Sequence, residues 1–260
     1  MTVRPGLESW LRDRRDRGQK LLVPYVTGGL GDDWADVVRA VVSAGADAVE
    51  IGIPFSDPVM DGPTIQKAST MALKQGTTPA GVISELARID VDVPLAVMTY
   101  YNLIYHAGHQ RMAHDLHMAG VAGAIVPDLP LEELDPWAAA ADAAGIETVL
   151  LVAPSTPDSR VSSICERSRG FVYGVAVMGV TGERSDLGDT ARQMAKRLKA
   201  ATDKPVLIGV GVSNPAQARQ VCEHADGVIV GSALVRRVLE GGGPEGASAF
   251  IKELRAGLDG

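Results

Sequence analysis

The chain has 260 residues, of which 46% are hydrophobic and 22% are charged, and its formal net charge is −7. This composition is that of a globular protein with enough apolar material for a sizeable core. The acidic balance and the lack of a basic stripe argue against nucleic acid as a partner. No apolar run reaches the roughly 18 residues that a membrane span needs.

The N-terminal segment is charged and lacks the apolar core of a signal peptide. The two cysteines, Cys165 and Cys222, lie far apart and offer neither a CxxC pair nor a disulfide framework. We therefore expect a cytoplasmic protein with two free thiols, each in a small apolar role inside a helix.

The predicted elements begin with an amphipathic helix over Leu7–Arg17, which has Leu7, Trp10 and Leu11 on one side. Ala-rich segments of helical pattern then alternate with short apolar runs that are rich in β-branched residues. The predicted strands are residues 21–27, 48–53, 94–100, 123–128, 147–153, 171–177, 205–212 and 227–233.

Alternation of strands and helices indicates βα units and a parallel sheet whose strands are buried on both faces. Eight units predict a single (β/α)8 TIM barrel over residues 1–260, with an extra N-terminal helix. A doubly wound open sheet is the alternative. It is less favoured because no early GxGxxG follows the first strand.

The first candidate for chemistry lies in the second strand. Residues 50–63 hold three carboxylates, and no Lys or Arg occurs from residue 44 to 66. Strand alternation places Glu50 on the same face as Ala48 and Gly52, which should point into the barrel. A carboxylate there loses hydration, so its pKa should rise towards that of a general acid or base. The alternative is a structural Glu that pairs with a distant Lys or Arg.

Two further carboxylates lie in the loop after this strand. Asp61 stands in Asp-Gly-Pro and Asp57 in Ser-Asp-Pro, contexts in which an Asp side chain supports a turn. Turn formation is the plainer interpretation of both, and more so of Asp57. The hydrophobic residues of the loop, Phe55, Val59 and Met60, could cover a substrate or meet a partner.

Glycine-rich turns follow the last three predicted strands. They contain Gly182 after strand 6, Gly211 after strand 7, and Gly231 with Ser232 at the start of the helix after strand 8. Loops after strands 7 and 8 with a helix N-terminus form the common phosphate site of such barrels. Each glycine turn alone could be an ordinary turn, but their common register predicts a phosphate site.

Four histidines have a spacing that could offer metal ligands: His106, His109, His114 and His117. The helix around them is amphipathic, and Asp115 is the only acidic residue nearby in sequence. We therefore interpret them as a solvated helix face and predict no metal site.

The long motif GADAVEIGIPFSDPVMDGPTIQ, residues 45–66, strongly resembles the signature of the tryptophan synthase α subunit family. Further similar motifs run along nearly the whole chain: VPYVTGG, MTYYN, VPDLP, VYGVAVMGVTG, GVGVSNP and GSALV. The family is a (β/α)8 barrel that cleaves indole-3-glycerol phosphate to indole and glyceraldehyde 3-phosphate. The resemblance thus implies a lyase of L-tryptophan biosynthesis.

The resemblance also implies roles for individual residues. Glu50 matches a catalytic carboxylate that moves protons, and Asp61 matches one that accepts the indole N–H. The implied substrate-binding residues are Tyr25, Tyr100, Tyr173 and Thr181. The implied phosphate-binding residues are Gly182, Gly211, Gly231 and Ser232.

The family's partner is a pyridoxal-phosphate β subunit in an αββα heterotetramer, which receives indole through a tunnel and joins it to serine. By resemblance, Asp57, Pro58 and Pro130 match surfaces that face this partner. The resemblance implies no metal and no cofactor in the α chain itself.

Three departures from the family pattern concern the lid, the pocket and the interface. Val177-Met178 stands where many relatives carry Ser-Arg, Val210 where many carry Phe, and Met60 where Ala is common.

Two other functions compete with this interpretation. The full strand 2 motif argues against another phosphate-binding barrel, such as a sugar-phosphate isomerase. Glu50 and Asp61 argue against a non-catalytic activating subunit.

Overall fold

The computed structural model describes residues 5–176, 187–209 and 211–260. Within these ranges, parallel strands pair in sequence order, and the last strand pairs with the first to close a barrel. The strands are β1 Leu21–Thr27, β2 Val49–Gly52, β3 Leu95–Met98, β4 Gly123–Ile125, β5 Glu147–Val152, β6 Val172–Val175, β7 Val206–Gly209 and β8 Gly227–Val230. The predicted (β/α)8 barrel is confirmed. Most strands are shorter than predicted, because their flanking residues already belong to loops.

Helices surround the barrel, and α1 confirms the predicted N-terminal helix. Several begin with Pro at the first turn, where its missing N–H costs no helical hydrogen bond. The helices are α1 Leu7–Asp16, α2 Trp34–Ser43, α3 Pro63–Lys74, α4 Pro79–Leu86, α5 Tyr101–Ala107, α6 His109–Met118, α7 Asp135–Ala144, α8 Asp158–Arg167, α9 Leu187–Ala201, α10 Pro215–Cys222, α11 Ser232–Leu239 and α12 Gly243–Asp259. A 3-10 turn spans Leu131–Glu133.

Side-chain alternation along β2 separates two apolar layers. Val49, Ile51 and Ile53 belong to the large cluster that packs the strands against the helices. Ala48 belongs to a smaller cluster inside the barrel, formed mainly by strand residues. Glu50 therefore faces the barrel interior, as predicted.

Helix α1 closes the N-terminal end of the barrel. Leu7 and Leu11 are fully buried and join the interior cluster. A Cβ atom at Gly123 or Gly170 would lie 2.8 Å from the side chain of Leu7. These glycines leave the space that the plugging leucine fills.

Two carboxylates, the half-buried Glu147 and the buried Asp47, fasten α1 to the barrel. Glu147 of β5 accepts a hydrogen bond of 2.8 Å from the backbone N–H of Glu8. Asp47, just before β2, lies 3.0 Å from the Arg14 guanidinium of α1 and 3.2 Å from that of Arg255 in α12. The first and last helices therefore meet at one carboxylate.

Both cysteines are buried free thiols, Cys165 in α8 and Cys222 in α10, as predicted. Burial raises the pKa of the Cys222 thiol to about 12. Among the described residues, no helix has the length and apolar character to cross a bilayer.

Candidate active site

The strands open at their C-terminal ends onto a cavity of about 240 Å³. Predicted site residues from both halves of the barrel line this one cavity. They are Tyr25, Glu50, Asp61, Tyr173, Gly211, Gly231 and Ser232. Met60, the departure before Asp61, also lines it.

Glu50 stands in the middle of β2, between Tyr25 of β1 and Ala96 of β3 in the strand register. It is 1% exposed, and its Oε2 atom has no hydrogen-bond partner among the described residues. No ion pair with Glu50 occurs in the described part of the chain, in contrast to the structural alternative. Burial, and then the charge of Asp61, raise the pKa of Glu50 to about 8.

Asp61 stands one residue before Gly62, the N-cap of α3. The Gln66 amide of α3 donates to the Asp61 carbonyl at 2.8 Å and holds the loop against the helix start. Burial raises the pKa of the Asp61 carboxyl, and a hydrogen bond with the Tyr100 hydroxyl opposes this rise. Glu50 and Asp61 thus share a cavity but differ in hydrogen bonding. This difference favours the protonated form of Glu50 and the charged form of Asp61.

Two tyrosine hydroxyls each approach a glycine at the end of the adjacent strand, Tyr25 of β1 at Gly52 of β2 and Tyr173 of β6 at Gly209 of β7. A Cβ atom at Gly52 would lie 1.8 Å from the Tyr25 hydroxyl, and one at Gly209 would lie 2.6 Å from the Tyr173 hydroxyl. Burial raises the pKa of both phenols, and the charge of Glu50 adds to the rise. Both tyrosines therefore remain neutral donors. The need for Gly52 and Gly209 escapes sequence reasoning, because only the closed barrel brings the tyrosines over them.

Tyr100 lies beside the loop that carries Asp61. Its hydroxyl accepts a hydrogen bond of 3.1 Å from the backbone N–H of Met60. Its ring stacks on Phe55, with 5.0 Å between the ring centroids. The contacts of Tyr100 are thus with the loop after β2, and it is not among the described residues that line the cavity.

The predicted phosphate residues meet at the other side of the cavity. Gly211 follows β7 with φ of 74°, a conformation that favours glycine. Gly231 is the N-cap of α11, and Ser232 is the first residue of that helix. A helix N-terminus with free N–H groups favours an anion.

Several predicted features fall outside the described residues. Among the site residues these are Thr181 and Gly182, and among the departures they are Val177-Met178 and Val210.

The residues that resemble a partner surface lie on loops at the same end of the barrel. Asp57 is exposed and accepts a hydrogen bond from the Ser56 hydroxyl. Pro58 is half-buried, and Pro130 is exposed just before the 3-10 turn. Val59 is 74% exposed, so this rim presents apolar surface.

Three of the four histidines are exposed, as the interpretation of a solvated helix face predicts. His106, His114 and His117 are exposed, and His109 contacts the Tyr101 hydroxyl through Nε2 at 2.9 Å. The described residues contain no group of three or more His, Cys, Asp or Glu side chains that could hold a metal ion.

Comparison with known proteins identifies the family to which this barrel belongs. The family model described as "Tryptophan synthase alpha chain" matches residues 11–255. The chain belongs to the tryptophan synthase alpha chain family. This family catalyses the alpha reaction of tryptophan biosynthesis, a lyase activity.

Individual relatives agree over nearly their full length. A tryptophan synthase alpha chain from a Cyanothece species is 44% identical over 252 residues, 94% of each chain. The alpha chain of Thermobifida fusca is 42% identical and covers 99% of this chain and 97% of its own.

Solved structures give the same answer. A chain of Mycobacterium tuberculosis tryptophan synthase superposes with a TM-score of 0.89 at 38% identity and covers 98% of both chains. The alpha subunit from Legionella pneumophila gives 0.88 at 30% identity, over 97% of this chain and 98% of its own. The resemblance and the barrel fold are confirmed.

Proposed function

We propose that Glu50 and Asp61 carry out the alpha reaction in this chain, the retro-aldol cleavage of indole-3-glycerol phosphate to indole and glyceraldehyde 3-phosphate. One observation carries the proposal: the two carboxylates line one cavity without any basic partner among the described residues, and the Tyr100 hydroxyl bonds to Asp61 whereas the Oε2 atom of Glu50 has no hydrogen-bond partner. The residues of one domain, 1–260, supply both groups.

Glu50 moves the proton. Cleavage breaks the bond between indole C3 and the glycerol carbon, so C3 gains a proton and the hydroxyl of that carbon loses one. A carboxyl with a pKa of about 8 is protonated at neutral pH and can donate to C3. The carboxylate that remains takes the hydroxyl proton as the aldehyde forms. Glu50 is then restored, and the protons balance.

Asp61 stabilises the charge that develops during this transfer. Protonation at C3 turns the indole into an indolenine cation, whose N–H becomes more acidic. An anionic carboxylate that accepts this N–H stabilises the cation more than it stabilises the neutral substrate. This difference lowers the activation barrier of the cleavage. The hydrogen bond with Tyr100 supports the charged form of Asp61.

The phosphate end of the substrate is bound by backbone groups. Gly211, Gly231 and Ser232 would surround it at the N-terminus of α11, with Thr181 and Gly182 as further contacts. The described lining of the cavity contains no Lys or Arg. Tyr25 and Tyr173 line the same cavity and would contact the glycerol or the indole ring.

The rim of the barrel binds the partner. The proposed partner is a β subunit that carries pyridoxal phosphate and receives the indole. It would contact Asp57, Pro58, Pro130 and the exposed Val59, and the complex would lie in the cytoplasm. The proposed assembly is an αββα heterotetramer. Support comes from the apolar exposure of this rim and from the similarity to solved tryptophan synthase structures.

The test is product release by the purified chain. Indole-3-glycerol phosphate is supplied with and without a tryptophan synthase β chain, and indole and glyceraldehyde 3-phosphate are both measured. We expect equimolar products and faster release with the β chain. A chain that yields neither product in the presence of the β chain would contradict the proposal.

A further inference from the structure

We propose that Tyr100 is a positioning residue that fixes the Asp61 carboxylate in place and in its charged form, instead of forming a wall for the indole ring. This inference rests on the proposed role of Asp61. It concerns the contacts of one hydroxyl and one aromatic ring with the loop after β2.

The hydroxyl joins two consecutive residues of that loop. Its oxygen accepts the backbone N–H of Met60 at 3.1 Å, and the hydroxyl also bonds to the carboxyl of Asp61. A phenol has one O–H to donate, and its oxygen has lone pairs left to accept. When the backbone N–H occupies the oxygen, the O–H is directed to the carboxylate, so the backbone position and the side-chain position are set together.

The ring holds the opposite end of the same loop. Phe55 stacks on Tyr100 with an angle of 26° between the ring planes. Tyr100 therefore contacts the loop near its start, at Phe55, and at its end, at Met60 and Asp61. Offset stacking of this kind adds a preference for one ring geometry beyond simple burial.

We call the contacts of Tyr100 with Phe55, Met60 and Asp61 the clamp. Tyr100 is itself held in place at the start of α5. Tyr100 is 4% exposed and is the N-cap residue of α5, two residues after the end of β3. The next residue, Tyr101, donates its backbone N–H to Asp128 at 2.9 Å, and the Tyr100 carbonyl accepts from Leu103 at 3.1 Å. A side chain from a fixed strand end can therefore restrain a loop, but the loop cannot easily move the side chain.

The electrostatic consequence reaches both carboxylates. Among the described residues, the titratable groups that interact with Asp61 are Glu50 from β2, Tyr25 from β1, Tyr173 from β6 and Tyr100 itself. The hydrogen bond with Tyr100 lowers the pKa of Asp61 against the effect of burial. The charge kept on Asp61 raises the pKa of Glu50. Tyr100 thus helps to hold one carboxyl charged and the other protonated.

The test compares Tyr100→Phe with a matched control, Tyr101→Phe. The control removes a hydroxyl that contacts His109 instead of Asp61. In Tyr100→Phe the stacked ring remains, and we expect kcat to fall about tenfold or more because a hydrogen bond to a charged group is lost. KM should change by less than about threefold, since the lost interaction serves the transition state. The acid limb of the kcat profile should move to higher pH.

Two results of this assay would overturn the proposal. A rise in KM with an unmoved acid limb would make Tyr100 a wall of the substrate site. An equal loss in Tyr101→Phe would mean that any change at the start of α5 displaces the loop.

A measurement without substrate separates this inference from the proposed function. The carboxyl of Asp61 is titrated by 13C NMR in the wild type and in Tyr100→Phe, with Asp61→Asn to assign the signal. A higher pKa in Tyr100→Phe supports the clamp even if the wild type releases no indole, in which case only the proposed function fails. An unchanged pKa overturns the clamp whatever the activity.

Discussion

Asp47 and Glu50 lie only three residues apart, Asp47 just before β2 and Glu50 within it, and both are buried. At the closed end, Asp47 accepts the backbone N–H of Leu22 at 2.8 Å and pairs with Arg14 and Arg255. At the open end, Glu50 has an Oε2 atom with no partner among the described residues.

This contrast shows that the partners of a buried carboxylate decide whether it stabilises the fold or can do chemistry. Burial raises the pKa of both groups. At Asp47, the backbone N–H of Leu22 and the two arginines lower it again, and they hold the charge that joins α1 and α12. At Glu50 the charge of Asp61 adds to the rise, so its carboxyl keeps a proton at neutral pH.

The largest effect that this contrast predicts is on turnover. Glu50→Gln keeps the shape of the side chain but cannot shuttle a proton, so we expect kcat for indole release to fall by about 10⁴-fold. Asp47→Asn, at the other end of the barrel, should keep most of the turnover of folded protein. Indole release by Glu50→Gln at the wild-type rate would refute the proton shuttle.

Asp61→Asn should lower kcat by about 10³-fold, because a neutral amide does not stabilise an indolenine cation. The phosphate side of the cavity is separate from this change, so affinity for glyceraldehyde 3-phosphate should stay within about threefold of the wild type. Turnover and product inhibition measure the two quantities. A collapse of phosphate binding would instead make Asp61 a structural residue of the loop.

Asp47→Asn should destabilise the fold by about 3 kcal/mol, because it removes the buried charge that pairs with Arg14 and Arg255, and Arg255 then keeps only the exposed Asp259 as a partner. Asp13→Asn is the matched control, since Asp13 pairs with Arg17 on the exposed side of α1 and should contribute less than about 1 kcal/mol. Urea unfolding gives both free energies. Equal losses in the two variants would mean that burial at the closed end adds nothing.

The smallest predicted effect is a pH dependence of stability. The pKa of Glu50 is about 8 in the folded chain against an ordinary value of 4.5, so folding favours its protonated form. Wild-type stability should therefore decline relative to Glu50→Gln as pH rises from 4.5 to about 8, because the unfolded chain releases the proton before the folded chain does. Unfolding free energies at several pH values measure the difference. A constant difference would mean that Glu50 is ionised throughout.

Local sequence pattern predicted much of the fold and part of the site. Alternation in β2 placed Glu50 inside the barrel, and the glycines after β7 and β8 indicated where a phosphate would lie. For Asp61, the Asp-Gly-Pro context by itself favoured a turn, and only the family motif pointed to catalysis. Tyr100 was assigned to the indole site by resemblance, whereas its contacts are with Phe55, Met60 and Asp61.

The sequence by itself determined the order of strands and helices and the inward face of β2, because these follow from the spacing of neighbouring residues, and its motifs indicated the family by resemblance. The tertiary structure decided which distant groups meet. The Tyr100 hydroxyl reaches Met60 across 40 residues, and Arg255 reaches Asp47 across 208. Such contacts form only when the barrel closes. They determine that Asp47 is paired with arginines and that Glu50 is left free to move a proton.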